Sequence, residues 1–127
     1  MMVGFVGDGN VSPKLINSIL EDIFHLGFPV SGVCMNLGTR VGQVVLSVSV
    51  KKNLNKIVYS NFARWIKRDQ NLEFRTNKKV IQNSRIVVSF ENLNASEATI
   101  KTLKYLSRAR KHRFRYKEDI DGNFLWY

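Results

Sequence analysis

Apolar residues recur along the chain with two different periods. Met2 to Val6 is a continuous apolar run closed by Gly7-Asp8-Gly9-Asn10, which predicts a buried first strand and a turn. Leu15, Ile16, Ile19, Leu20, Ile23 and Leu26 then fall three and four residues apart and predict a helix with one apolar stripe. Ser12 is placed to cap that helix, Pro13 to open it where a missing N–H costs nothing, and Gly27 to end it. Pro29 to Met35 is apolar and small, a second strand. Across Arg40 to Val50, the β-branching of Val44, Val45, Val48 and Val50 favours a strand, but their spacing also fits a buried helix. A helix is preferred, because Lys56 to Ser60 makes a better next strand and parallel strands need a crossover between them.

Phe62 to Asn71 mixes Phe62 and Trp65 with Arg64, Lys67 and Arg68 and reads as a loop or short helix. Arg75 to Asn83 suits a short helix, and the β-branched run Arg85 to Phe90 suits a central strand. After a loop over Glu91 to Ala95, Ser96 caps a second well-marked helix running to about Arg110, with Ile100, Leu103 and Leu106 on its buried stripe. His112 to Lys117 alternates basic residues with Phe114 and Tyr116, a strand with one apolar face. Asp121-Gly122 is a turn signal, and Asn123 to Tyr127 returns as the second arm of a hairpin. Strands alternating with helices in this order predict an α/β protein, a three-layer sandwich around a mostly parallel sheet with a C-terminal hairpin, in one domain spanning residues 1–127. Ligands of such sheets bind beyond the carboxyl ends of the strands. That rule singles out the loops Gly7 to Ser12, Asn36 to Gly42 and Glu91 to Thr99.

Composition narrows the chemistry. A chain of 127 residues, 44% hydrophobic and 24% charged, supports one packed core and excludes a two-domain enzyme. Its uncharged stretches are too short to span a bilayer, so no membrane partner is expected, and the N-terminus lacks the basic region of a signal peptide. A single cysteine, Cys34, excludes a disulfide framework and reads as a small buried hydrophobe in a reducing, cytoplasmic setting. His25 and His112 share no metal-ligand spacing, so neither a metal nor another cofactor is expected. The net charge is +10, and it is unevenly placed. Residues 1–50 hold two basic and three acidic residues, whereas residues 51–127 hold 18 basic and 7 acidic. Lys101 to Lys117 carries eight basic residues and no acid, a density that attracts polyanions.

The stretch from Phe74 to Phe90, with Arg75, Asn77 and the closing Val87-Val88-Ser89-Phe90, followed by Ser96-Glu97-Ala98-Thr99, resembles the Rossmann-like SLOG superfamily. That superfamily includes cytokinin-activating phosphoribohydrolases and the DNA-processing protein A. The resemblance implies a Rossmann-like fold and a nucleotide site near Ser96 and Thr99. It also implies a tendency to form homo-oligomers, for which Trp126 would suit an interface. The chain departs from the family at the loop Glu91 to Thr99, which has no glycine to let backbone amides approach a phosphate.

Several residues are candidates for function. Asp8 stands where a ribose or base contact would lie, and an Asx-turn explains it equally well. Thr39 and Arg40, between Gly38 and Gly42, could grip a phosphate, and Arg75 with Asn77 could reach the same crevice. Glu97 could act as the acid of N-glycosidic cleavage, or simply favour a helix N-terminus. Arg108, Arg110, Lys111, Arg113, Arg115 and Lys117 form a second constellation suited to nucleic acid, although strand alternation puts Phe114 and Tyr116 on the opposite face. The expected function is therefore binding of a nucleotide or nucleotide-derived ligand, without turnover. The alternative is a phage or mobile-element protein that binds nucleic acid through the basic half. A structural or interaction protein that has lost the site is the third possibility.

Overall fold

The computed structural model describes residues 1–60 and 70–127. Strand β1 (Met2–Gly7) leads through Pro13, at the first helical turn, into α1 (Pro13–His25), whose cap Ser12 accepts the Leu15 N–H. Strand β2 (Gly32–Asn36) follows, then α2 (Arg40–Lys51) and β3 (Asn55–Tyr59). The remaining elements are α3 (Gln70–Gln82), β4 (Ile86–Glu91), α4 (Glu97–Arg108), β5 (His112–Glu118) and β6 (Phe124–Trp126). The segment 40–50 is a helix. Its buried residues Val41, Gly42, Val45, Val48 and Ser49 keep helical spacing, and it crosses between the parallel strands β2 and β3.

The strands form one sheet in the order β3-β2-β1-β4-β5-β6. All neighbours are parallel except β5 and β6, where Tyr116 faces Trp126 across an antiparallel pair. The chain thus lays β2 and β3 on one side of β1, then returns to place β4 and β5 on the other. Alternation along the strands divides the core. Val3, Phe5, Val33, Met35, Val88 and Phe90 pack with α1 and α2, whereas Val6, Cys34 and Val87 pack with Val80, Ile81 and Leu106 of α3 and α4. This is a three-layer α/β sandwich of Rossmann-like order.

Three boundaries differ from the sequence reading. Strand β2 starts at Gly32 and not at Pro29, because the Pro29 carbonyl and the Ser31 side chain bind the N-terminus of Met1 before the ladder begins. Helix α3 starts by Gln70, ahead of Arg75. Its buried positions Glu73, Thr76, Asn77, Val80 and Ile81 have helical spacing but are half polar, so no apolar stripe marks its first turns. Helix α4 stops at Arg108, two residues early, as Ala109 turns to an extended conformation. The loop or short helix expected over 62–71 lies outside the described residues except for Gln70 and Asn71, which open α3. Among the described residues no helix is long and apolar enough to cross a membrane.

Candidate functional site

The carboxyl ends of β1 and β4 form the topological switch point, where the following helices leave to opposite faces. Gly7 ends β1 at φ 98°, and a Cβ there would overlap the Phe90 carbonyl, so only glycine lets the chain turn this close to β4. Asp8 follows. Its Oδ1 accepts the Gly9 N–H at 2.9 Å and the Arg40 N–H at 3.2 Å. The side chain of Thr39 caps α2 by accepting the Gly42 N–H at 3.0 Å. A carboxylate of the protein itself thus occupies the N-terminal end of α2, where a bound anion would otherwise sit. Asp8 and Arg40 are therefore brought together, but through the Arg40 backbone. The exposed Arg40 side chain lines an outer groove between α1 and α2 with Pro13, Gln43 and Ser47.

Gly42 serves packing, since a Cβ there would overlap the Asn36 carbonyl at the end of β2. The Gly38 N–H donates to Asn36 Oδ1 at 2.9 Å. Asn36 Nδ2 in turn donates to Asn77 Oδ1 at 2.9 Å, and Asn77 Nδ2 to Thr102 Oγ1 at 3.0 Å. Asn77 is 1% exposed and sits inside the fold between α3 and α4, while Arg75 lies exposed on α3. Ser96 caps α4, accepting the Thr99 N–H at 3.2 Å, and Thr99 is buried. Exposed Glu97 pairs with Lys101 at 3.1 Å on the same helix face. Between the β1 and β4 loops, the Phe124 ring lies against Gly9 and edge-on to Phe90. Asn92, also beside Gly9, has a buried Oδ1 that finds no hydrogen-bond partner among the described residues.

The second constellation is built by strand alternation. Phe114 and Tyr116 face α1, where the Tyr116 ring stacks on Phe90 at 5.5 Å. Arg113 and Arg115 face α4, where they line a groove of about 410 Å³ with Glu91, Leu103, Lys104 and Ser107. The Arg113 Nε is buried and, among the described residues, has no hydrogen-bond partner. Burial, and then the neighbouring Arg115 charge, push the Arg113 guanidinium below its ordinary pKa, with the nearby Glu91 opposing the shift. Lys117 pairs with Glu91 at 3.6 Å. Arg108, Arg110 and Lys111 line no part of this groove; they lie at the end of α4 and in the turn to β5.

Sequence reading sets Trp126 and Tyr127 together as the aromatic pair of the hairpin, and the structure separates them, with Tyr127 on this face. Its backbone N–H donates to the Arg115 carbonyl at 3.0 Å, and the Arg115 guanidinium lies 4.8 Å from its ring centre. Its hydroxyl donates to Glu91 Oε1 at 3.4 Å. Hairpin alternation alone puts Tyr127 on the face opposite Trp126, which is the signal that could have found it. Cys34 is wholly buried, and burial raises its thiol pKa to about 11. Among the described residues no group of three or more His, Cys, Asp or Glu could hold a metal ion.

Fold and site together define an α/β sandwich of Rossmann-like order with a basic groove beside α4. Comparison with protein-family models, curated proteins and solved structures finds no match.

Proposed function

We propose that the protein binds single-stranded nucleic acid along the basic groove between α4 and β5. One observation carries this reading: Arg113, Arg115 and Lys104 converge on one groove, with Glu91 as its carboxylate. Phosphate oxygens are acceptors suited to guanidinium and ammonium groups, and release of the counterions they displace drives binding. Tyr127, already stacked with Arg115, offers an aromatic surface at the rim on which a base can lie. The net charge of +10 adds long-range attraction for a polyanion.

The test is the affinity for a labelled oligothymidine as a function of salt, read by fluorescence anisotropy. Wild type should bind at low salt and weaken steeply as salt rises. The double variant Arg113→Gln, Arg115→Gln should bind at least tenfold more weakly, with a log–log salt slope shallower by about 2. No binding at low salt, or an unchanged slope in the variant, rejects the reading.

A second reading rests on the orphaned Asn92 Oδ1. Turned outward from its place beside Gly9, that amide would offer an acceptor to the ribose hydroxyl or amino group of a nucleotide-derived ligand, the ligand class that the SLOG resemblance implies. The occupied N-terminus of α2 leaves the ligand's phosphate no place beside Asp8, so its sugar or base would face Asp8. A thermal shift with a nucleotide panel that disappears in Asn92→Ala supports this reading, and equal responses of the two proteins sink it.

A further inference from the structure

On the opposite face of β5 and β6 from the basic groove, α1 leaves a concave strip uncovered, with a volume of about 480 Å³. Ile19, Leu26, Tyr116 and Trp126 wall it, and Asp22 and His25 of α1 stand on one rim. Trp126 is 72% exposed and Leu26 62%, large apolar surfaces left in water. The size and the mostly apolar lining are those of a small-molecule site.

The polar groups on the rim are selective. Among the described residues the Asp22 carboxylate takes no hydrogen bond and no ion pair. His25 Nδ1 lies 2.8 Å from the Glu21 carbonyl oxygen, so this nitrogen carries the hydrogen and, in the neutral ring, Nε2 is an acceptor. The Asp22 charge, after burial, helps push the Tyr116 phenol above its ordinary pKa, which sets the carboxylate near the aromatic wall. The strip therefore offers flat aromatic surface and acceptors in a protein whose other exposed groups are mainly cationic. Its occupant has to be planar and must present donors.

We propose that this strip binds a guanine base, stacked on Trp126 and held by Asp22. Guanine is the base whose edge carries two adjacent donors, N1–H and the N2 amino group, which match the two oxygens of one carboxylate. Adenine sets a ring-nitrogen lone pair beside its amino group, and that lone pair would face the carboxylate and be repelled. The base can come from a free guanine nucleotide or from a strand held elsewhere on the protein. The site is separate from the basic groove and stands whether or not that groove takes nucleic acid.

The test follows the indole N–H resonance of Trp126, assigned by its loss in Trp126→Phe, while guanosine monophosphate or adenosine monophosphate is added. The expected result is a saturable shift with the guanine nucleotide, at least tenfold weaker in Asp22→Asn, and a much weaker response to the adenine nucleotide. An oligothymidine carrying one guanine forms the second arm. A shift there but not with the free nucleotide assigns the base to a strand and also supports the site. Equal responses to the two nucleotides, no response in either arm, or an unchanged guanine affinity in Asp22→Asn overturns the proposal. A Trp126 signal that fades with protein concentration alone overturns it too, because a second copy then covers the strip. Asp22 is exposed, so its replacement leaves the core intact.

Discussion

Asn36, the last residue of β2, donates its side-chain amide to Asn77 of α3 at 2.9 Å, and both residues are fully enclosed. The bond joins the loop that opens α2 to the pair of helices on the other side of the sheet. Asn77 hands the chain on to Thr102, whose hydroxyl donates to the Ala98 carbonyl at 2.7 Å in the first turn of α4. Two of the three loops at the carboxyl edge are thereby held by one buried polar line.

Asn77→Ala should destabilise the protein by about 1 to 3 kcal/mol, since it leaves the Asn36 amide buried without an acceptor. Urea unfolding measures this as a lower midpoint with the slope unchanged. A midpoint equal to that of wild type would show that water replaces the lost bond.

Gly42→Ala should cost about 1 to 3 kcal/mol or more, because the added Cβ overlaps the Asn36 carbonyl and α2 must lift from the end of β2. Alanine otherwise favours a helix by about 1 kcal/mol over glycine. A thermal melt at or above the wild-type midpoint would contradict the close approach.

Cys34 gives a pH signature. Its thiol is raised to about 11 in the fold by burial, from an ordinary value near 9, so the folded protein holds that proton more tightly than the unfolded chain. The contribution is complete below pH 9 and is lost as pH rises toward 11, a fall of about 3 kcal/mol. Tyr116, raised in the same direction, adds to it. The alkaline loss of stability should be smaller in Cys34→Ala than in wild type, and the native thiol should resist thiol reagents at pH 8.

Glu91→Gln should raise affinity for an oligothymidine about threefold, because Glu91 is the carboxylate within the basic groove and neutralises Lys117. Anisotropy titrations of the two proteins at equal salt decide the point. A weaker variant would mean that Glu91 acts mainly by holding Tyr127.

Local signals made most elements legible. Ser12, Pro13 and the stripe from Leu15 to Ile23 define α1 through contacts within a few residues, and the alternation from His112 to Lys117 separates the basic face of β5 from its aromatic face. Helix α3 was legible only in part, because Glu73, Thr76 and Asn77 occupy its buried positions. A buried polar residue needs a hydrogen-bond partner, and one partner of Asn77 lies 41 residues away in Asn36.

The candidate site divides along the same line. The loops after β1, β2 and β4 and the run of positive charge are properties of the chain itself, and so is the α/β order, because caps, periods and charge density arise from neighbours in sequence. Only the tertiary structure decided that the Asp8 carboxylate fills the N-terminus of α2, that Asn77 turns inward, and which face of β5 looks onto α4. Each of those placements depends on which strands pair and in what register, and parallel pairing across a crossover is set by the packing of the whole sheet, not by any short segment of it.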